Sequence, residues 1–135
     1  MTSIPDEIGL LVSLKRLACG NNSIENISPD IGKLRRLTWL DLTHNRISHV
    51  PDTMGLLVNL TGLGLSDCRL SEFPMAVTKL SKLLKLGVFG NRITSIPSEI
   101  SNLVCLAKFD ISNNLLEDLP AELGTLKGLR WLNLR

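Results

Sequence analysis

Few residues in this chain could do covalent or acid–base chemistry, and their spacing argues against it. His44 and His49 are the only histidines. Five positions apart, they neither share a helical face as metal ligands would nor set a base beside a nucleophile. They read as exposed turn residues. None of the ten glycines belongs to a G-x-x-x-x-G-K-[ST] loop able to cradle phosphate. No catalytic residue, metal ligand or cofactor is expected, and the chemistry left to the chain is noncovalent recognition.

The residues suited to recognition recur every 23 positions. One column reads Arg16, Trp39, Gly62, Lys85, Lys108, Trp131; a second reads Ala18, Asp41, Gly64, Gly87, Asp110, Asn133; a third reads Gly20, Thr43, Ser66, Phe89, Ser112, Arg135. An outward tryptophan is an anchor for a partner, because aromatic and arginine side chains dominate binding hot spots. Gly62, Gly64 and Gly87 weaken their strands but leave a smooth hollow between Trp39 and Phe89 where a protruding side chain could dock. Lys85 and Lys108 beside Asp41 and Asp110 give a rim of mixed charge, which favours a protein partner over an anionic polymer. A separate basic column, Arg46, Arg69 and Arg92, suits a carboxylate-rich or phosphorylated surface. Asp67, Glu72 and Glu117 stand near enough in sequence to screen or pair with it.

The elements that must position these side chains follow from the same interval. Leu34, Leu37, Leu40, Leu42, Asn45 and Ile47 map onto Leu57, Leu60, Leu63, Leu65, Cys68 and Leu70, then onto Leu80, Leu83, Leu86, Val88, Asn91 and Ile93, without insertion or deletion. Trp39–Thr43 alternates outward and inward residues, the period of a half-buried strand. Unslipped copies stack such strands into a parallel sheet in which each coil covers its neighbour's leucines. Asn22, Asn45, Asn91 and Asn114 fall where the chain leaves the strand, and a buried amide both donates to and accepts from the backbone there. Cys68 breaks that ladder, so its turn is expected to be looser or to rely on water.

The other half of the repeat opens on proline, as in Ile4-Pro5-Asp6-Glu7-Ile8-Gly9, Val50-Pro51, Ile96-Pro97 and Leu119-Pro120. Proline starts a short helical turn without wasting an N–H. Asp6, Glu7, Glu99 and Glu122 suit the positive end of its dipoles, and Lys33, Lys79 and Lys127 lie nearer the other end. The second repeat has Ser28 in the proline column and Pro29 after it, which predicts a later start. Val12, Val58 and Val104 alternate with Arg35, Ser81 and Lys127 on the outer side, a rhythm assigned to helix packing.

The block I-P-x-x-I-G-x-L-x-x-L-x-x-L-x-L-x-x-N-x-I resembles the leucine-rich repeat family over essentially the whole chain. It is similar to the 23-residue intracellular subtype of animal Ras-pathway scaffolds, plant Ras-group-related repeat proteins and LAP proteins. The resemblance implies an α/β solenoid, a horseshoe with a parallel sheet on its concave face and short helices or 3-10 turns on its convex face. It also implies a non-enzymatic scaffold or adaptor that holds a protein partner, such as a small GTPase, kinase or phosphatase. Two alternatives stay open. One is the regulator- or substrate-binding segment of a larger enzyme or receptor (kinase, Roco GTPase, ubiquitin ligase); the other is a secreted or cell-surface ligand-recognition domain, for which Asn21, Asn26 and Asn59 supply N-x-Ser/Thr sequons.

Residues 1–135 form a single array of about five full repeats and a partial sixth. Met1 occupies the slot of Ile24 and Ile47, and Leu126, Leu129, Leu132 and Leu134 lack a following coil, so a longer array, or self-association through uncapped ends, is expected. At 4% aromatic residues the core must be built from branched aliphatics. A formal net charge of +2 supports no claim for nucleic acid. No apolar run approaches the roughly 18 residues of a spanning helix, so no membrane insertion is expected. Cys19, Cys68 and Cys105 sit in dissimilar columns, ill placed for pairing, and with no signal peptide at the start a cytoplasmic location is expected.

Overall fold

The computed structural model describes residues 1–135. Eight short strands occur, β1 (Ser3–Ile4), β2 (Arg16–Ala18), β3 (Asn26–Ile27), β4 (Trp39–Asp41), β5 (Gly62–Gly64), β6 (Lys85–Gly87), β7 (Lys108–Asp110) and β8 (Trp131–Asn133). Six of them form one parallel sheet in the order β2-β4-β5-β6-β7-β8, and β1 pairs with β3 in a separate two-stranded sheet. The register never slips: Arg16 faces Trp39, Trp39 faces Gly62, Gly62 faces Lys85, Lys85 faces Lys108 and Lys108 faces Trp131. The columns seen in sequence are thus rows across the sheet. The chain is a leucine-rich repeat solenoid, with its sheet concave and its short turns convex.

The strands are three residues long rather than the five expected from Trp39–Thr43. The chain departs at a bend, although ladder bonds persist beyond the strand, as from Leu42 N to Gly64 O (2.9 Å) and from His44 N to Ser66 O (2.9 Å). That bend has one cause in every repeat. Asn21, His44, Asp67 and Asn113 hold φ of 56°, 56°, 48° and 51°, and Gly90 takes the same place at 67°. The left-handed region favours Gly, Asn, Asp and His, and those types fill the column.

The asparagine ladder sits against this bend. Asn91 accepts from Leu70 N (3.1 Å) and donates to Leu65 O and Val88 O (2.9 Å each), so one amide joins two coils. Asn45 does the same with Ile24 N, Cys19 O and Leu42 O, and Asn114 with Ile93 N, Val88 O and Ile111 O. Asn22 donates to Cys19 O and Gly20 O. The expected loosening at Cys68 does not occur. Asp67 keeps the left-handed conformation of the other turns, and the Cys68 thiol reaches Leu42 O at 3.5 Å and Ser66 O at 3.6 Å. Coils stacked in register on both sides hold the backbone whatever the side chain.

Six 3-10 turns form the convex side: Asp6–Leu10, Pro29–Lys33, Asp52–Leu56, Met75–Lys79, Ser98–Asn102 and Ala121–Thr125. Five follow an extended proline, Pro74 included, and each is too short to repay an α-helical nucleus. The turn at Pro29 starts in register, not late. Ser28 occupies the capping position and accepts from Asp30 N at 3.1 Å, so a hydroxyl replaces the fixed φ of proline. Between sheet and turns, 31 buried apolar residues form one continuous core. Its two aromatic members, Phe73 and Phe109, meet edge to face at 6.4 Å between ring centroids. Leu132 and Leu134 of the last coil are exposed.

Candidate functional site

Each strand of the large sheet turns its middle residue, a leucine or phenylalanine, to the core side and its two outer residues, three of them glycines, onto the concave face. In the first outward column the guanidinium of Arg16 lies 5.4 Å from the centre of the Trp39 ring, a cation–π contact. The Trp39 ring in turn covers Gly62, so a β-carbon on that glycine would overlap Cε3 and Cζ3. Lys85 and Lys108 stand exposed further along, and Lys108 Nζ lies 4.6 Å from the centre of the Trp131 ring.

The acids of the second column are turned to structural use. Asp41 Oδ1 accepts from Thr43 N (3.0 Å), and Asp110 Oδ1 accepts from Ser112 N (3.1 Å) and from the Ser112 hydroxyl (2.6 Å). Such carboxylates fix the chain as it leaves the strand. Neither Lys85 nor Lys108 forms an ion pair with these acids, which are largely committed to the backbone of their own turns.

Between Trp39 and Phe89 the sheet carries a depression of about 410 Å³. Asp41, Thr43, Ser66, Lys85, Lys108 and Asp110 line it with the two aromatics, over a floor of Leu63, Gly64, Leu86 and Gly87. Eight of the eleven expected concave-face residues therefore meet at one place: Trp39, Asp41, Gly64, Lys85, Gly87, Phe89, Lys108 and Asp110. Arg16, Gly62 and Trp131 do not. The hollow expected at Gly62 is filled, because an indole large enough to reach across one strand spacing occupies the space the missing side chain leaves. Thr43 and Ser66, in the third column but not singled out as binding residues, also line it, next to Phe89 of the same column.

The arginine column is less neutralised than expected. Arg46 Nη1 comes within 3.7 Å of Glu25 Oε1, while Asp67 is taken by His44 at 3.3 Å. Arg69 and Arg92 are exposed and form no ion pair; Glu72 and Glu117 reach neither. Burial raises the Cys19 thiol above its ordinary value, with the Asp41 carboxylate adding to the shift. Burial raises Cys68 likewise, partly offset by N–H groups around it, that of Ile47 among them. All three cysteines are free thiols, and Cys105 is exposed. No group of His, Cys, Asp and Glu is placed to hold a metal ion.

A family model for the leucine-rich repeat region matches residues 29–135. The chain belongs to the leucine-rich repeat family. It is similar, at 28% identity and a TM-score of 0.86, to a leucine-rich repeat protein of Leptospira interrogans, with 100% of this chain covering 40% of that one. The plant peptide hormone receptor RGFR1, solved in complex with RGF2, matches at 32% identity and a TM-score of 0.88 over 98% of this chain and 22% of the receptor. The leucine-rich repeat ectodomain of the Arabidopsis thaliana receptor kinase SOBIR1 matches at 28% and 0.77, over 89% of this chain and 68% of that one. This array thus spans 40% or less of the length of the first two. No curated protein matches it significantly. Leucine-rich repeats are in general a non-enzymatic interaction fold, which implies protein partners. No helix is long and apolar enough to cross a membrane.

Proposed function

We propose that this array is an intracellular scaffold segment holding a signalling protein on its concave face. The observation that carries the reading is the depression of about 410 Å³ between Trp39 and Phe89, floored by Gly64 and Gly87 and flanked by Lys85, which forms no ion pair, and by Lys108, whose ammonium lies over the Trp131 ring. It fits a protruding apolar or acidic side chain of a partner, with the indole held in place by Arg16 and therefore losing little freedom on binding. The similarity to intracellular scaffolds favours a small GTPase, kinase or phosphatase. Three unbridged thiols support a cytoplasmic setting.

The test is affinity capture on the immobilised array, followed by titration of the captured protein against variants. Trp39→Ala and Phe89→Ala should each weaken binding tenfold or more while leaving the circular dichroism spectrum unchanged. Undiminished affinity in both would remove the depression from the site.

The second reading, an extracellular ligand-recognition array, is favoured by the 32% identity to a receptor solved with RGF2. Asn21 and Asn26 are exposed sequons, whereas Asn59 is engaged with Arg35 O at 2.7 Å. Protein made in a secretory host would carry glycan at Asn21 and Asn26 under this reading. An unmodified mass would count against it.

A further inference from the structure

The near-balance of charge in the sequence conceals a strong separation in space. Six connecting segments run from a 3-10 turn to the next strand: residues 11–15, 34–38, 57–61, 80–84, 103–107 and 126–130. Together they hold Lys15, Arg35, Arg36, Lys82, Lys127 and Arg130, all exposed, and no Asp or Glu. None of the six takes part in an ion pair, since those that form are Lys33–Asp30 and Arg46–Glu25. Lys82 Nζ donates only to the neutral Asn59 Oδ1 (2.9 Å), and Lys127 Nζ only to Gly124 O (3.3 Å), so neither meets a counter-charge.

The segments lie side by side. A backbone ladder joins them, from Thr38 N to Lys15 O, Thr61 N to Thr38 O, Leu84 N to Thr61 O, Ala107 N to Leu84 O and Arg130 N to Ala107 O. At about 4.8 Å per coil they make one edge roughly 24 Å long. Part of it, bounded by Lys15, Arg36, Thr38, Asn59, Thr61 and Lys82, is a shallow recess lined by no acidic and no hydrophobic residue. The same edge exposes aliphatic side chains between its cations. Val12, Val58 and Val104 are 56%, 46% and 65% exposed, and Leu84 is 44% exposed. The valine column assigned in sequence to helix packing instead faces outward, because it follows the convex turn rather than lying within it.

We infer that this edge is a docking surface for an anionic lipid bilayer, with the cations meeting phosphate and carboxylate headgroups and the aliphatics entering the interfacial layer. A straight row of separated charges suits a flat surface of diffuse charge, and exposed valines among lysines and arginines suit an interface that is apolar just below its charge. The concave face stays free, so the array could sit edge-on to the bilayer while holding a protein partner. This inference stands on the edge alone and does not depend on the identity of that partner.

The test is cosedimentation of the 135-residue chain with vesicles of phosphatidylcholine containing 30% phosphatidylserine, and with pure phosphatidylcholine. The chain should bind the anionic vesicles at least tenfold more tightly and be released by 0.5 M salt. Each basic group near such a surface adds about fivefold, so Arg36→Glu/Lys82→Glu should lose about 25-fold or more. Val58→Ser/Val104→Ser, with charge intact, should lose severalfold; unchanged binding by that pair would reduce the edge to electrostatic attraction alone and overturn the interfacial seating. Inorganic phosphate at matched ionic strength should not compete, and competition would overturn the surface in favour of a discrete phosphate site. Equal binding to both vesicle types, or binding to soluble polyglutamate without binding to vesicles, would overturn the proposal. All four positions are exposed or outside the core, so circular dichroism should show every variant folded.

Discussion

The indole of Trp39 rests on the backbone of Gly62, one strand away in perfect register. Each residue explains the other: the glycine leaves a gap, and the ring fills it while the Arg16 guanidinium lies 5.4 Å from its centre. Gly62→Ala should force the ring out. Overpacking of this kind costs about 1–3 kcal/mol, and in a Trp131→Phe background the emission of Trp39 should move to the red. An unmoved spectrum with unchanged stability would mean that the ring does not lie there in solution.

Asn91 satisfies a buried N–H and two buried carbonyls at once. Asn91→Ala should lower stability by about 2–4 kcal/mol, the order expected when several buried polar groups lose their partner. Cys68→Asn should act in the opposite direction, raising stability by about 1 kcal/mol, because an amide oxygen would serve the Ile47 N–H better than sulphur does. Urea midpoints of the two variants, moving apart from the parent, check both.

Leu63 is 3% exposed and belongs to the core under the concave face. Leu63→Asp would bury a carboxylate with no partner and should cost more than about 3 kcal/mol, melting at least the central coils. A melting curve matching the parent would contradict the inward assignment of this column.

The thiols give a pH signature. Cys19 and Cys68 both titrate above the ordinary value of 9.0 when folded. Above that pH the folded chain keeps protons that the unfolded chain releases, so their contribution is fully present below pH 9 and is lost as pH rises through the folded values. Urea midpoints should fall more between pH 8 and pH 10 for the parent than for Cys19→Ala/Cys68→Ser. Exposed Cys105 should react with a thiol reagent before either of the other two, since thiolate fraction and access govern the rate.

Much of the concave face was readable from the interval between repeats, because a strict 23-residue spacing turns sequence columns into rows of a parallel sheet. Where the reading failed, the cause was a contact between columns or between coils. The Gly62 hollow closed under a neighbour's indole, Ser28 took over the role of a proline, and the Cys68 turn was held in shape by the coils around it. None of these is visible in a single column. The left-handed bend was visible in principle, since Asn21, His44, Asp67, Gly90 and Asn113 are all types that tolerate positive φ.

By itself the sequence determined the leucine-rich coil, its inward leucines and its asparagine turns, because hydrophobic period and hydrogen-bonding capacity are properties of each repeat. Only the tertiary structure decided which outward residues share a depression and which cations share an edge. Those depend on the order in which coils stack and on side chains long enough to cross from one coil to the next. Net charge is a sum that discards position, so the acid-free edge became apparent only once the six connecting segments lay side by side.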